Sequence, residues 1–182
     1  MAFFKQINET YRTEKDLKNL IYYITLKANY WDTYGLPKFP QDVILAQFMY
    51  YKKYYYKTEG NQALHFCLSF DTAKYESWIN AGKVRDIIHV VLWMFEGFQV
   101  VYGIHLEPIH YHVHFCVNTV SYVDGKRFRC NTVWMENQIA YWLKAEGIAV
   151  EGVNYIDESG RFRKYNKFDE PAYLYLNQSI KL

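Results

Sequence analysis

Residues 98–120 read FQVVYGIHLEPIHYHVHFCVNTV, and this stretch decides the architecture. Its two ends, 98–105 (FQVVYGIH) and 110–120 (HYHVHFCVNTV), are rich in β-branched and aromatic residues and read as strands. Only residues 106–109 separate them. A parallel crossover needs about a dozen residues or more, so the two runs must pair antiparallel as a hairpin. Strand alternation then assigns the faces. His110, His112, His114, Cys116 and Asn118 project from one side, and Tyr111, Val113, Phe115 and Val117 face a core. With 106–109 as the loop, His105 is predicted opposite His110 and diagonal to His112. Gly103 then falls opposite His112 and leaves open space there. Three imidazoles from two neighbouring strands converge on one point.

Outward from the hairpin, the pattern alternates between the two periodicities. Ala2 to Ile7 reads as a short strand. Thr13 caps a helix in which Leu17, Leu20, Ile21 and Ile24 make one apolar stripe, with Asp16 completing a weaker capping box. Tyr23 borders that stripe and Tyr22 lies outside it. Residues 31–40, with Gly35, Pro37 and Pro40, read as a loop. A tyrosine- and lysine-rich helix is predicted from about Asp42 to Lys57, and 63–70 (ALHFCLSF) alternates as a strand. A helical segment over about 72–96 stops at Gly97, another helix runs over about 133–145, and 148–156 reads as a strand. The class is α+β: a central antiparallel sheet with helices on one face and a partly open, polar opposite face carrying the histidines.

A chain of 182 residues is expected to form one domain, 1–182, with a substantial core. Hydrophobic residues at 51% and charged residues at 22% exclude a disordered chain. The net charge of +2 is too small to indicate a nucleic-acid partner unless basic residues cluster. The outlier is the aromatic content, with 19 Tyr, 12 Phe and 5 Trp, which points to tyrosines on a binding surface. Three cysteines without metal-finger spacing fit a reducing compartment. With neither a secretory apolar core nor a membrane-length apolar run, a soluble, cytoplasmic protein is expected.

A single histidine on a strand is ordinarily a hydrogen-bonded structural residue. Three at alternate positions, with a fourth on the adjacent strand, are hard to explain by packing, because polar rings gathered on one sheet face are disfavoured unless something binds there. Neutral imidazoles bind divalent transition metals, and three protein nitrogens leave positions open for a substrate. The candidate metal ligands therefore lie among His105, His110, His112 and His114, and Glu107 is a candidate supporting carboxylate.

The stretch GIHLEPIHYHVHFCVNTVSYVDGKRFR resembles the metal motif of plasmid mobilization relaxases, within the histidine-hydrophobe-histidine endonuclease superfamily. That pattern is a His, a carboxylate two residues on, a His-x-His pair seven and nine residues after the first His, and an Asn four further. Here these are His105, Glu107, His112, His114 and Asn118, with Val113 as the hydrophobe and Glu where the family more often has Asp. NQALHFCLSF is similar to the family's preceding strand and DLKNLIYYI to its nucleophile segment, so the similarity spans about residues 14–130. It implies a relaxase-like fold and a DNA-nicking and rejoining enzyme that acts at an origin of transfer and leaves a 5′-phosphotyrosine. It makes Tyr23 the expected nucleophile and Tyr22 the next candidate, with Glu107 grouped among the catalytic residues. It implies a divalent ion (Mn2+ or Mg2+, with Zn2+ ranked behind). The implied partners are single-stranded or hairpin origin DNA, accessory DNA-binding proteins, a host helicase and a coupling or secretion system.

His110, Asn118 and His65 are candidates for supporting the ligands or touching DNA, and a hydrogen-bonded structural role suits His65 equally well. His89, in the apolar run DIIHVVLW, reads as structural. Three basic clusters are candidate DNA contacts: Lys52 and Lys53 among tyrosines 50–56; Lys126, Arg127 and Arg129; and Arg161, Arg163 and Lys164. Each also reads as an ordinary solvated face. Three alternatives accompany the relaxase reading. A rolling-circle initiator or transposase of the same superfamily would act on a different DNA. A small-molecule metal enzyme would form no tyrosine adduct. An inactive DNA-binding module would bind without cleaving.

Overall fold

The structure, a computed structural model, describes residues 2–7, 10–71, 81–107, 110–129, 132–145, 150–156 and 162–165. In chain order the elements are β1 (Ala2–Ile7), α1 (Glu14–Leu26), β2 (Tyr30–Tyr34), α2 (Gln41–Tyr54), β3 (Ala63–Asp71), α3 (Ala81–Trp93), β4 (Val100–Glu107), β5 (His110–Asn118), α4 (Thr132–Ala145), β6 (Val150–Ile156) and β7 (Phe162–Tyr165). The strands form one sheet in the order β2-β4-β5-β3-β1-β6-β7. The class is the expected α+β, with the histidines on the sheet. The first five strands in that order are antiparallel throughout. The sheet is not wholly antiparallel, however, because β6 joins β1 in parallel and then carries β7 antiparallel.

Three expectations need correction. The β4–β5 ladder runs two residues further than predicted, to Glu107 opposite His110. A two-residue connection is enough for a hairpin, so Leu106 and Glu107 stay in the ladder and every pairing shifts. His105 therefore sits directly opposite His112, and Gly103 opposite His114. The second correction is β2, which lies where a loop was expected. Its residues, YWDTY, are mostly strand formers, and they pair with β4 from Tyr30 opposite Ile104 to Tyr34 opposite Val100. The Gly35 and Pro37 punctuation begins only after the strand has ended.

The third correction concerns the layers: helices cover both faces of the sheet. On one face the even-numbered residues of β3 (Phe66, Leu68, Phe70), with Val113, Phe115 and Val117 of β5, pack against Val84, Ile88 and Leu92 of α3 and Met135 and Ile139 of α4. On the other, Leu17, Leu20, Ile21 and Ile24 of α1 and Ile44 and Phe48 of α2 close over Val101, Cys116 and Ala63. This second layer is the histidine face. Along β5 its side chains pass from the core at Cys116 to His114 and then to the more accessible His112. The site thus lies at the margin of a packed layer.

The first turn of α1 is fixed by its own side chains. The Asp16 backbone N–H donates to Thr13 Oγ1 (3.1 Å), and the Thr13 N–H donates to Asp16 Oδ2 (2.9 Å). This reciprocal cap sets where the helix starts, and so which residues meet the sheet. At its other end α1 lies against Gly103 with almost no gap. A Cβ there would collide with the Ile24 carbonyl oxygen and come within 3.0 Å of Ala28 Cβ. The space predicted beside Gly103 is therefore filled by a helix backbone.

Candidate metal centre

The short distance between α1 and β4 places the last turns of α1 beside the histidine face. The closest ligand atoms of His105, His112 and His114 all lie within 4.8 Å of one another. Their ring centroids are 4.8 Å (His105–His112), 5.1 Å (His105–His114) and 5.2 Å (His112–His114) apart. Opposed strand positions bring His105 and His112 together, and the two-residue repeat of β5 adds His114.

The ring nitrogens have distinct surroundings. His105 hydrogen-bonds to the Ile24 backbone carbonyl, while its Nε2 is buried without a hydrogen-bond partner. A buried, unpartnered nitrogen is unfavourable unless something accepts its lone pair. His114 Nδ1 lies 3.1 Å from His65 Nε2, and His65 Nδ1 lies 2.7 Å from the Tyr11 hydroxyl. His112 Nε2 is 3.8 Å from Glu107 Oε1, too long for a hydrogen bond. Burial pushes His65 down to about 4. Burial and the neighbouring His65, His105 and His112 rings push His114 down to about 3. Burial also holds His105 below the ordinary imidazole value, partly offset by the Ile24 carbonyl. These rings are therefore neutral near pH 7, the state a metal ligand requires. One orphaned Nε2, three converging imidazoles and a nearby carboxylate form a donor set that fits a divalent transition ion.

The two adjacent tyrosines of α1 face different surroundings. The Tyr23 ring stands edge-on to His114 at 5.4 Å, with His65 at 6.3 Å and His105 at 6.5 Å between centroids. Lys27 Nζ lies 5.0 Å from the Tyr23 ring centroid. Tyr23 remains 40% exposed, enough for a large substrate to reach it. Tyr22 instead donates its hydroxyl to Asp42, which also pairs with Lys18 at 2.9 Å. Burial, then the Asp42 hydrogen bond, raises the Tyr22 hydroxyl above its ordinary value. Beside Tyr23 opens a groove of about 510 Å3 lined by Thr10, Tyr11, Asp16, Asn19 and His65 among others.

The structure separates the other candidates. His110 takes its place at the end of β5, opposite Glu107 on one side and Asp71 on the other. Asn118 is a correction, because it holds the sheet together away from the cluster. Its amide donates to the Phe48 carbonyl and to Gln99 Oε1, and its Oδ1 accepts from the Val120 N–H. Lys52 is a second correction. It is fully buried, and its ammonium donates to the Gln62 carbonyl at 2.8 Å, so it has no access to DNA. Arg127 directs its guanidinium to the backbone carbonyls of Lys57, Glu59 and Asn61, so it fastens a loop instead of presenting a free fork to phosphate. Lys53 and Lys126 are exposed, within ion-pair distance of Glu14 and Asp124 respectively, and Arg129 is exposed. Arg163 and Lys164 belong to β7, opposite Tyr155 and Asn154, and Arg161 lies outside the described residues.

Sequence reasoning missed two participants: the Tyr11 hydroxyl and the Ile24 carbonyl. Tyr11 precedes the helix in a polar stretch with no periodicity to place it. A backbone carbonyl has no sequence signature, although a glycine inside a strand is a general mark of close backbone approach.

Among known proteins, the family model described as relaxase, MobA/VirD2-like, nuclease domain, matches residues 11–143. That span runs from Tyr11 to Leu143 and contains α1, α2, α3, the histidine hairpin and all but the last two residues of α4. No curated protein matches the chain.

Proposed function

The chain belongs to the MobA/VirD2-like relaxases through their nuclease domain, and from that premise we propose that it nicks and rejoins one strand of DNA at an origin of transfer, with Tyr23 as the nucleophile. The observation that carries this reading is the edge-on placement of Tyr23 against His114, 5.4 Å between centroids, within the three-histidine cluster. Of the two candidate tyrosines, Tyr22 has its hydroxyl engaged by Asp42.

In the proposed reaction the Tyr23 hydroxyl oxygen attacks the scissile phosphorus. The bond from phosphorus to the 3′ oxygen breaks as the bond to Tyr23 forms. The phenolic proton is lost and the 3′ oxygen gains one, giving a 5′-phosphotyrosine and a free 3′-hydroxyl. One phosphodiester replaces another, so the reverse reaction reseals the strand. His105, His112 and His114 would hold a divalent ion, Mn2+ or Mg2+ in preference to Zn2+, which supplies charge neutralisation at the phosphate oxygens. Glu107 stands at the open edge of the cluster, beside His112. The groove between α1 and Tyr11 is wide enough to seat a nucleotide next to Tyr23. Exposed Tyr50 and Tyr54, stacked at 6.1 Å on α2, offer rings for unpaired bases. Accessory DNA-binding proteins, a helicase and a secretion system complete the proposed pathway.

The test is to incubate the protein with single-stranded origin DNA carrying its hairpin and with Mn2+, then map the DNA-linked peptide by mass spectrometry. The expected adduct is on Tyr23. Nicking without an adduct, or an adduct elsewhere, overturns the assignment.

A further inference from the structure

Tyr11 and His65 lie outside the three-histidine motif, yet their hydrogen bonds to one another and to His114 bear directly on whether His114 can bind a cation. We propose that Tyr11 and His65 are positioning residues that select the ring tautomer of His114, and through it the affinity of the centre for its ion. The inference rests on the metal reading of His105, His112 and His114.

The hydrogen bonds allow two proton arrangements. In one, the Tyr11 O–H donates to His65 Nδ1, and His65 Nε2–H donates to His114 Nδ1. The His114 proton then sits on Nε2, and that nitrogen has no lone pair to offer. In the other, His114 Nδ1–H donates to His65 Nε2, and His65 Nδ1–H donates to the Tyr11 oxygen. His114 Nε2 is then free to coordinate. Both arrangements carry the same number of protons, so the choice between them is one of direction, with no change of charge. Both bonds are short enough to hold their partners, at 2.7 Å and 3.1 Å, and His65 and His114 are both buried. Ion binding at Nε2 selects the second arrangement, and Tyr11 turns from donor to acceptor. His105 reaches the same result by another route, since the Ile24 carbonyl accepts only from a protonated nitrogen and leaves Nε2 bare. Two of the three ligands are thus oriented from behind, one by a helix backbone and one by a side-chain relay.

Mn2+ affinity by titration calorimetry and ring tautomers by 15N NMR of the Zn2+-loaded protein test this. His65→Leu is expected to weaken Mn2+ binding about tenfold to a hundredfold, the usual range for lost partners behind a ligand. Tyr11→Phe is expected to give a smaller loss, and His65→Gln, whose amide oxygen still accepts from His114, to recover most of the affinity. The Zn2+-loaded wild type should carry its His114 proton on Nδ1. A His114 proton on Nε2 in that sample, or wild-type Mn2+ affinity in both His65→Leu and Tyr11→Phe, overturns the relay and leaves the metal centre standing. A wild-type protein that binds neither ion removes the metal reading and the relay with it. The tautomer measurement needs no variant, so it decides the matter even if His65→Leu does not fold.

Discussion

Tyr22 and Tyr23 are neighbours of identical chemistry, and a helix turns them about 100° apart. That rotation gives them different partners. Tyr22 meets the Asp42 carboxylate on α2, whereas Tyr23 meets the imidazoles. Tyr23→Phe is therefore expected to abolish the covalent DNA adduct while leaving DNA affinity within a few-fold of wild type. Tyr22→Phe should retain the adduct. Denaturing gels with labelled DNA read both, and equal losses in the two variants would argue against the division of roles. Lys52 gives a second residue-scale prediction. Burial pushes its ammonium down to about 7 from the ordinary 10.5. Between those values the unfolded chain holds a proton that the folded chain lacks, so stability rises with pH through that window. Relative to Lys52→Met, the wild type should gain up to about 1.4 kcal/mol per pH unit between pH 7 and 10 in urea unfolding. A flat difference would show that Lys52 stays charged in the fold. The burial of Lys52 was readable in advance, since it continues the stripe of Ile44 and Phe48 at four-residue intervals. Its charge made it look like a phosphate contact.

At the scale of elements, the site depends on how closely α1 approaches β4. The Thr13–Asp16 cap sets the start of the helix, and Gly103 admits its backbone near the end. A methyl group at position 103 would meet the Ile24 carbonyl, the same oxygen that orients His105. Gly103→Ala is thus expected to destabilise the fold by about 1–3 kcal/mol and to weaken Mn2+ binding as well. Denaturant unfolding and calorimetry check the two effects, and a variant with unaltered stability and affinity would contradict this packing. The histidine hairpin was legible because alternation and a short connection leave few alternatives. Its register was not, since composition does not say whether Leu106 and Glu107 belong to ladder or loop. β2 escaped for a related reason: five residues beside a Gly-Pro stretch are too few to show a period, and the strand owes its place to β4.

Across the whole molecule, the two faces of the sheet have separate tasks. The layer of α3 and α4 buries the even-numbered residues of β3 and the odd-numbered residues of β5 into one apolar core. The layer of α1 and α2 ends at the histidines, where the last turns of α1 lie against His105 and His114 and leave Tyr23 part-exposed. That division was foreseen only in part, because a polar strand face does not reveal that two helices also shelter one end of it. No helix among the described residues is long and apolar enough to cross a membrane. The central claim is that His105, His112 and His114 grip one cation beside Tyr23. The most direct measurement is an anomalous difference map from crystals soaked in Mn2+. It should show a single strong peak within coordination distance of all three rings, on the side open to the Tyr23 hydroxyl. A peak elsewhere, or none at saturating Mn2+, would contradict the account.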